Sequence, residues 1–117
     1  MTTGLTCTWT TAEEGTARVT IEGDLEFATT GTLLRLIADH LAAGTGVRHV
    51  RLDCAAIGFC DSSGLSELMK VHRIVVAAGA RLHLDNRQPA LHRLLTRTGT
   101  AALLTGDALD SRARRDS

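Results

Sequence analysis

Apolar and polar residues alternate twice near the start of the chain. Leu5 to Thr10 and Ala17 to Ile21 therefore read as two antiparallel strands joined by the polar turn Thr11 to Gly15. Gly23 to Ala28 reads as a loop. The period then changes: Leu33, Leu34, Ile37, Leu41 and Ala42 keep helical spacing, with Thr29 or Thr30 placed to cap the helix and Gly44-Thr45-Gly46 to stop it. Val47 to Asp53 returns to strand periodicity at Val50 and Leu52. Cys54 to Cys60 is small and apolar, and is expected to lie over the core at the end of the sheet. Leu65, Leu68, Met69, Val75 and Val76 predict a helix from Ser63 of about four turns, with Glu67, Lys70 and Arg73 mainly on its other face and Gly79 closing it. Arg81 to Asp85 alternates as a strand, and Pro89 sits in the first turn of a short helix running to Arg97. Ala101 to Leu104 reads as a final short strand. Helices alternating with strands after an initial hairpin predict an α/β fold, a mixed β-sheet with helices packed on it.

The most informative segment is Asp61-Ser62-Ser63-Gly64-Leu65, which sits at the junction between the strand region and the helix. A helix start exposes unpartnered backbone N–H groups and the positive end of the peptide dipole, so small hydroxyl residues there are well placed to carry a phosphate. The same residues also make an ordinary cap. In that reading Asp61 or Ser62 accepts from an N–H one turn in, and Gly64 lets another segment come close. Open sheets with helices on their faces keep functional sites at such junctions.

Composition narrows the function classes. The 117 residues make one domain, with 44% apolar content and a formal net charge of zero. Zero net charge gives no general attraction to nucleic acid, and Trp9, Phe27 and Phe59 are the whole aromatic complement, too few for a base-stacking platform. No basic leader with an apolar stretch opens the chain, and no run approaches the roughly 18 apolar residues of a membrane span, so a cytoplasmic protein without membrane insertion is expected. Cys7, Cys54 and Cys60 are odd in number and lack tight spacing, which argues against a disulfide framework; Cys54 and Cys60 read as small core residues. His40, His49, His72, His83 and His92 show no metal-ligand spacing, so neither a metal nor a cofactor is expected. Ala108 to Ser117 is polar and Arg-rich and reads as a flexible tail after a domain spanning 1–107.

Ile57-Gly58-Phe59-Cys60-Asp61-Ser62-Ser63-Gly64-Leu65, with the strand before it, resembles the signature of the STAS domain family (sulphate transporter and anti-sigma factor antagonist). Gly23-Asp24-Leu25-Glu26 is similar to the family's Gly-acidic-Leu-Asp, with Glu26 one methylene longer than the usual aspartate. Pro89 to Leu95 followed by Thr98-Gly99 looks like the family's last helix and turn. The resemblance covers roughly Ala17 to Leu104 and lies nearest the free-standing bacterial anti-sigma factor antagonists. It implies that Ser62 is a phosphoacceptor, modified by a serine kinase that is also the anti-sigma factor and reset by a separate serine phosphatase. It further implies that the unphosphorylated protein binds the kinase and frees a sigma factor. The partner-binding surface would comprise Asp24, Glu26, Asp61, Ser62, Ser63, Gly64 and Leu65.

Enzymatic readings find little support. Ser62 lacks a Gly-x-Ser-x-Gly elbow, and no Gly-rich phosphate loop with a lysine is present. The expectation is a binding module, not an enzyme, with Ser62 the substrate of another protein's kinase. The alternative is a STAS accessory subunit of a lipid transporter or signalling scaffold with no phosphorylation cycle.

Overall fold

A computed structural model describes residues 4–44, 46–100 and 104. Strand β1 (Leu5–Glu13) reverses at Glu14-Gly15 into β2 (Thr16–Leu25). A single 3-10 turn at Phe27–Thr29 leads into helix α1 (Thr32–Ala43), followed by β3 (His49–Cys60), α2 (Ser62–Ala77), β4 (Arg81–Asp85) and α3 (Pro89–Arg97). The described strands form one sheet in the order β1-β2-β3-β4. The first pair is antiparallel and the other two are parallel, so the sheet is mixed as the sequence predicts. Parallel neighbours need a crossover, and α1 and α2 supply the two required.

Alternation in the strands makes the sheet one-sided. Val19 and Ile21 of β2, Val50, Leu52 and Cys54 of β3, and Leu82 and Leu84 of β4 point into one buried core. The helices add Leu33, Ile37, Leu68, Val71, Val75, Leu91 and Leu95 to it. Each such side chain contributes about 1.5–3 kcal/mol on burial, so this layer dominates the fold's stability. The intervening residues Arg18, Thr20, Arg51, Asp53, His83 and Asp85 form the opposite, half-exposed face. Among the described residues no helix is long and apolar enough to cross a membrane.

The structure corrects several expectations. The turn between β1 and β2 is confined to Glu14-Gly15, and Gly23 to Leu25 belong to β2 instead of a loop. Cys54 to Cys60 continues β3 to its end. Simple alternation misses this because the β2–β3 register shifts twice, from Thr20↔Asp53 to Glu22↔Ala56 and from Gly23↔Ile57 to Asp24↔Phe59. Each extra residue on β3 is a bulge that resets which side chains face inward, so Cys54 and Ile57 are both buried although three residues apart. Neither Thr29 nor Thr30 caps α1. The N-cap is Gly31, at φ +99 and with no side-chain bond, because Thr29 is used in the preceding 3-10 turn. On α2, Glu67 is buried and Val76 is 52% exposed, the reverse of the expected faces. The buried arc runs through Gly64, Glu67, Leu68, Val71 and Val75. Of the expected strand Ala101 to Leu104, residues 101–103 lie outside the described residues, and Leu104 is helical, its N–H donating to the Thr100 carbonyl at 3.0 Å. The expected tail at 108–117 also lies outside them.

Candidate functional site

The end of β3 passes directly into α2 through Asp61, which is extended at φ −100 and ψ −170. That conformation lets the carboxylate fold back over the first turn, where Oδ1 accepts the Gly64 N–H at 2.9 Å. Oδ2 accepts the Phe27 N–H at 3.4 Å, and the Asp61 N–H donates to the Leu25 carbonyl at 3.1 Å. One residue thus caps α2 and ties it to the segment leaving β2. Losing a cap of this kind costs about 1 kcal/mol, and here the tie to Phe27 would go with it.

Gly64 explains why the helix begins where it does. It is buried, and a Cβ built on it would lie 2.8 Å from both the carbonyl carbon and the Cβ of Leu25. Only glycine allows α2 to approach the end of β2 this closely. Leu65, the next residue, is half-buried and packs against the core, which anchors the turn. Ser62 and Ser63 occupy the first two helical positions; Ser62 is exposed and Ser63 half-buried. Their N–H groups have no acceptor among the described hydrogen bonds. Hydroxyls beside free N–H groups and a positive helix end are a setting that favours an anion, and Ser62 is the more exposed of the two serines.

The structure brings Asp24 and Glu26 to the same edge. Asp24 pairs with Phe59 across the second bulge, and its Oδ1 would lie 2.7 Å from a Cβ built on Gly58. Gly58 therefore leaves the room that the Asp24 carboxylate fills. Glu26 precedes the 3-10 turn; its N–H donates to Thr29 Oγ1 at 3.1 Å. None of Asp24, Glu26 and Asp61 is ion-paired among the described residues, where the salt bridges are Arg18–Asp85 and Arg51–Asp85. Phe27, next to Glu26, is 80% exposed, and Phe59 is 55% exposed.

Glu67, which the sequence pattern assigns to the outer face of α2, points inward. It is 2% exposed, and its Oε2 accepts the Leu34 N–H at 3.0 Å. Leu34 lies in the first turn of α1, so a side chain of α2 supplies the cap that Gly31 cannot. Its position between Gly64 and Val71 on the helical arc was the available signal, but a charge in an amphipathic pattern is ordinarily assigned to solvent. The other oxygen, Oε1, is buried without a partner. Glu67 lines a cleft of about 210 Å³ between the two helix starts, together with Phe27, Thr30, Ser63, Ser66 and Lys70.

The thiols are unreactive neighbours. Burial pushes Cys54 up to about 12, and pushes Cys60 up to about 11 with added repulsion from Asp61 and Glu67. Cys7 is also raised to about 11, by burial and then by Glu67. All three are protonated near neutral pH and serve as small packing groups, free of disulfide bonds. Among the described residues no three His, Cys, Asp or Glu side chains converge as metal ligands.

The model of a family described as Mlab, STAS domain matches residues 9–105. No curated protein matches the chain. Among solved structures, the anti-sigma factor antagonist SpoIIAA in its unphosphorylated form aligns with a TM-score of 0.71 at 19% identity, covering 93% of this chain and 96% of its own. An anti-sigma factor antagonist from Mycobacterium paratuberculosis aligns with a TM-score of 0.70 at 21% identity, covering 92% of each chain. The murine solute carrier 26 family member A9 anion transporter aligns with a TM-score of 0.66 at 22% identity, over 73% of this chain. This chain spans 14% of that transporter's length. At these identities the likeness is one of fold.

Proposed function

The chain belongs to the STAS domain family, and from that premise we propose that it is an anti-sigma factor antagonist, a binding module switched by phosphorylation of Ser62. Unphosphorylated, it binds an anti-sigma factor serine kinase in the bacterial cytoplasm and thereby releases a sigma factor. Phosphorylated, it lets go until a serine phosphatase resets it. The observation that carries this reading is the exposed Ser62 hydroxyl at the first position of α2, beside two free N–H groups and a cap that already holds the turn rigid.

The physics of the switch follows from that placement. A phosphoserine adds about −1.5 to −2 charges and three strong acceptors at neutral pH. The helix start accommodates them within this protein. A partner packed against Asp24, Glu26, Asp61, Ser62, Ser63, Gly64 and Leu65 must instead desolvate a dianion in a surface that already carries three carboxylates. A 10- to 1,000-fold loss of affinity needs only about 1.4–4 kcal/mol.

The test is to incubate the protein with ATP, magnesium and candidate serine kinases of its own genome and to map phosphate by mass spectrometry. Phosphate on Ser62, absent in Ser62→Ala, with weaker binding of the phosphorylated form to the same kinase, is the expected outcome. One observation favours a second reading: a domain of this fold forms part of a transporter chain in the murine structure. Tight binding to a transporter component with no phosphate on either serine would move the protein to the class of accessory subunits of a lipid transporter or scaffold.

A further inference from the structure

Another cleft lies between the end of β3 and α3, and none of the residues assigned to the partner surface at Ser62 lines it. Its apolar lining is Ile57, Phe59, Ala90, Leu91 and Leu94, with Phe59 55% exposed, and Arg97 supplies its charge. The side-chain amide of Gln88 donates to the Ala55 carbonyl, which holds the start of α3 against β3 and fixes the two walls relative to each other. At about 180 Å³ the cleft falls below the roughly 300 Å³ at which sites for whole small molecules begin. It is the size for one apolar side chain.

The charge around it is one-sided. From Asn86 to Thr100 the chain holds Arg87, Arg93 and Arg97 and no acidic residue. None of the three arginines is in an ion pair among the described residues. Arg87 has Asp53 and Asp85 within reach of the same buried thiol, Cys54, and is offset by them. Arg93 and Arg97 are exposed and lie one turn apart on one face of α3, with Ala90 of the cleft wall one turn before Arg93. Their two guanidinium charges outweigh the roughly half negative charge at the end of the helix. The Cys60 thiol is raised by burial and then by Asp61, so negative potential reaches that end of the cleft, and the carboxylates of a guest belong at the other, on α3.

We infer that this cleft docks an acidic segment of a partner protein, one apolar side chain entering between Phe59 and Leu94 while flanking carboxylates meet Arg93 and Arg97. Aromatic residues and arginine are the types enriched in interfaces, and an apolar anchor seated in a pocket carries most of such a contact. A peptide fits better than a membrane. The apolar element is a recess that a side chain enters and a bilayer surface does not fill, and a lipid-binding patch takes about four to eight basic residues where α3 offers two.

The site stands apart from the phosphorylation cycle, so absence of phosphate on Ser62 would sink the switch and leave it untouched. The full-length, isotope-labelled protein is titrated with the acetylated and amidated peptide Glu-Asp-Leu-Asp-Glu, following backbone amide shifts by NMR. The expected result is a saturable shift at Gly58, Phe59 and Leu94. Replacing the peptide's leucine with serine is expected to weaken binding at least tenfold, since the anchor is lost. Arg97→Gln is expected to weaken it about two- to fivefold, the share of one exposed ion pair, with the difference shrinking as salt is raised. Ala90→Met, at an exposed position that leaves the core untouched, fills the cleft and is expected to abolish the shift. Shifts that never saturate, or that survive both the serine peptide and Ala90→Met unchanged, overturn the site. Equal binding by Arg97→Gln and wild type overturns the role of charge in it. Shifts at the same amides with phosphatidylglycerol vesicles and none with the peptide would assign the face to a membrane and overturn the protein partner.

Discussion

The two charged regions of this domain are built on opposite plans. On the open face of the sheet, charges satisfy one another: Asp85 accepts from Arg51 Nε at 2.9 Å and Nη2 at 3.0 Å, with Arg18 at 3.8 Å. His49 Nδ1 and His83 Nε2 lie 3.0 Å apart there, and Asp53 accepts from Asn86 at 3.0 Å. At the start of α2 the carboxylates have no basic counterparts among the described residues. Asp61 is spent on backbone N–H groups and Glu67 on one of them, leaving an oxygen over. A face whose charges pair internally has little left to offer a partner. The end of the sheet leaves one Glu67 oxygen unpaired among the described residues and Phe27 exposed.

The contrast breaks most visibly at Gly64. Alanine in a helix interior normally gains about 1 kcal/mol over glycine, but here its Cβ is driven into the backbone of Leu25, and overpacking costs about 1–3 kcal/mol or more. Gly64→Ala is therefore expected to lower stability by about 2 kcal/mol net, read as a lower urea midpoint at unchanged slope. A midpoint at or above wild type would show that α2 can shift freely and that the close approach does not fix the site. Asp61→Ala comes next, at about 1–2 kcal/mol, since the cap to Gly64 and the tie to Phe27 are lost together. Asp61→Asn keeps an acceptor for one of them and should recover part of the loss. Equal midpoints for the two variants would mean that the Phe27 tie, not the cap, carries the energy.

How much of this was readable in advance differs between the two halves of the site. The order strand, Asp-Ser-Ser-Gly, helix is local information: a cap, a small residue and an apolar anchor each act within one turn, and the chain shows them together. Glu67 acts on α1, more than thirty residues away in sequence, and its role depends on which helix start lies beside α2. Periodicity carries no such information, so its charge defaulted to solvent. The cap of α1 failed for the mirrored reason, because Thr29 fits the pattern but is engaged with Glu26 and the carbonyl of Asp24. The bulges in β3 hid its second half, since they interrupt the alternation by which strands are recognised.

On the open face the expected effects are smaller. Asp85→Ala removes both arginine contacts, yet the Arg51 side chain is 36% exposed, so water and salt already screen the pair. The loss should be at most about 1 kcal/mol and should shrink as salt is raised. A loss beyond that, independent of salt, would mark the network as a structural element on a par with the α2 junction.

The smallest effect expected is a slope with pH. Burial holds His83 below its ordinary value of 6.5, and the positive charge of Arg51 acts in the same direction. The pair at 3.0 Å requires one ring nitrogen to donate and the other to accept, which a neutral His83 allows and a doubly charged pair does not. Well above pH 6.5 both folded and unfolded chains hold His83 neutral, and it contributes no pH dependence. As the pH falls through 6.5 the unfolded chain takes up the proton first, so the folded state loses stability until its own lowered value is passed. Urea unfolding at about pH 7.5 and pH 5.5 reads this directly: wild type should lose more stability over the interval than His83→Gln, which cannot titrate. Identical losses in the two proteins would mean that the histidine pair is idle, and that the open face depends on its arginines alone.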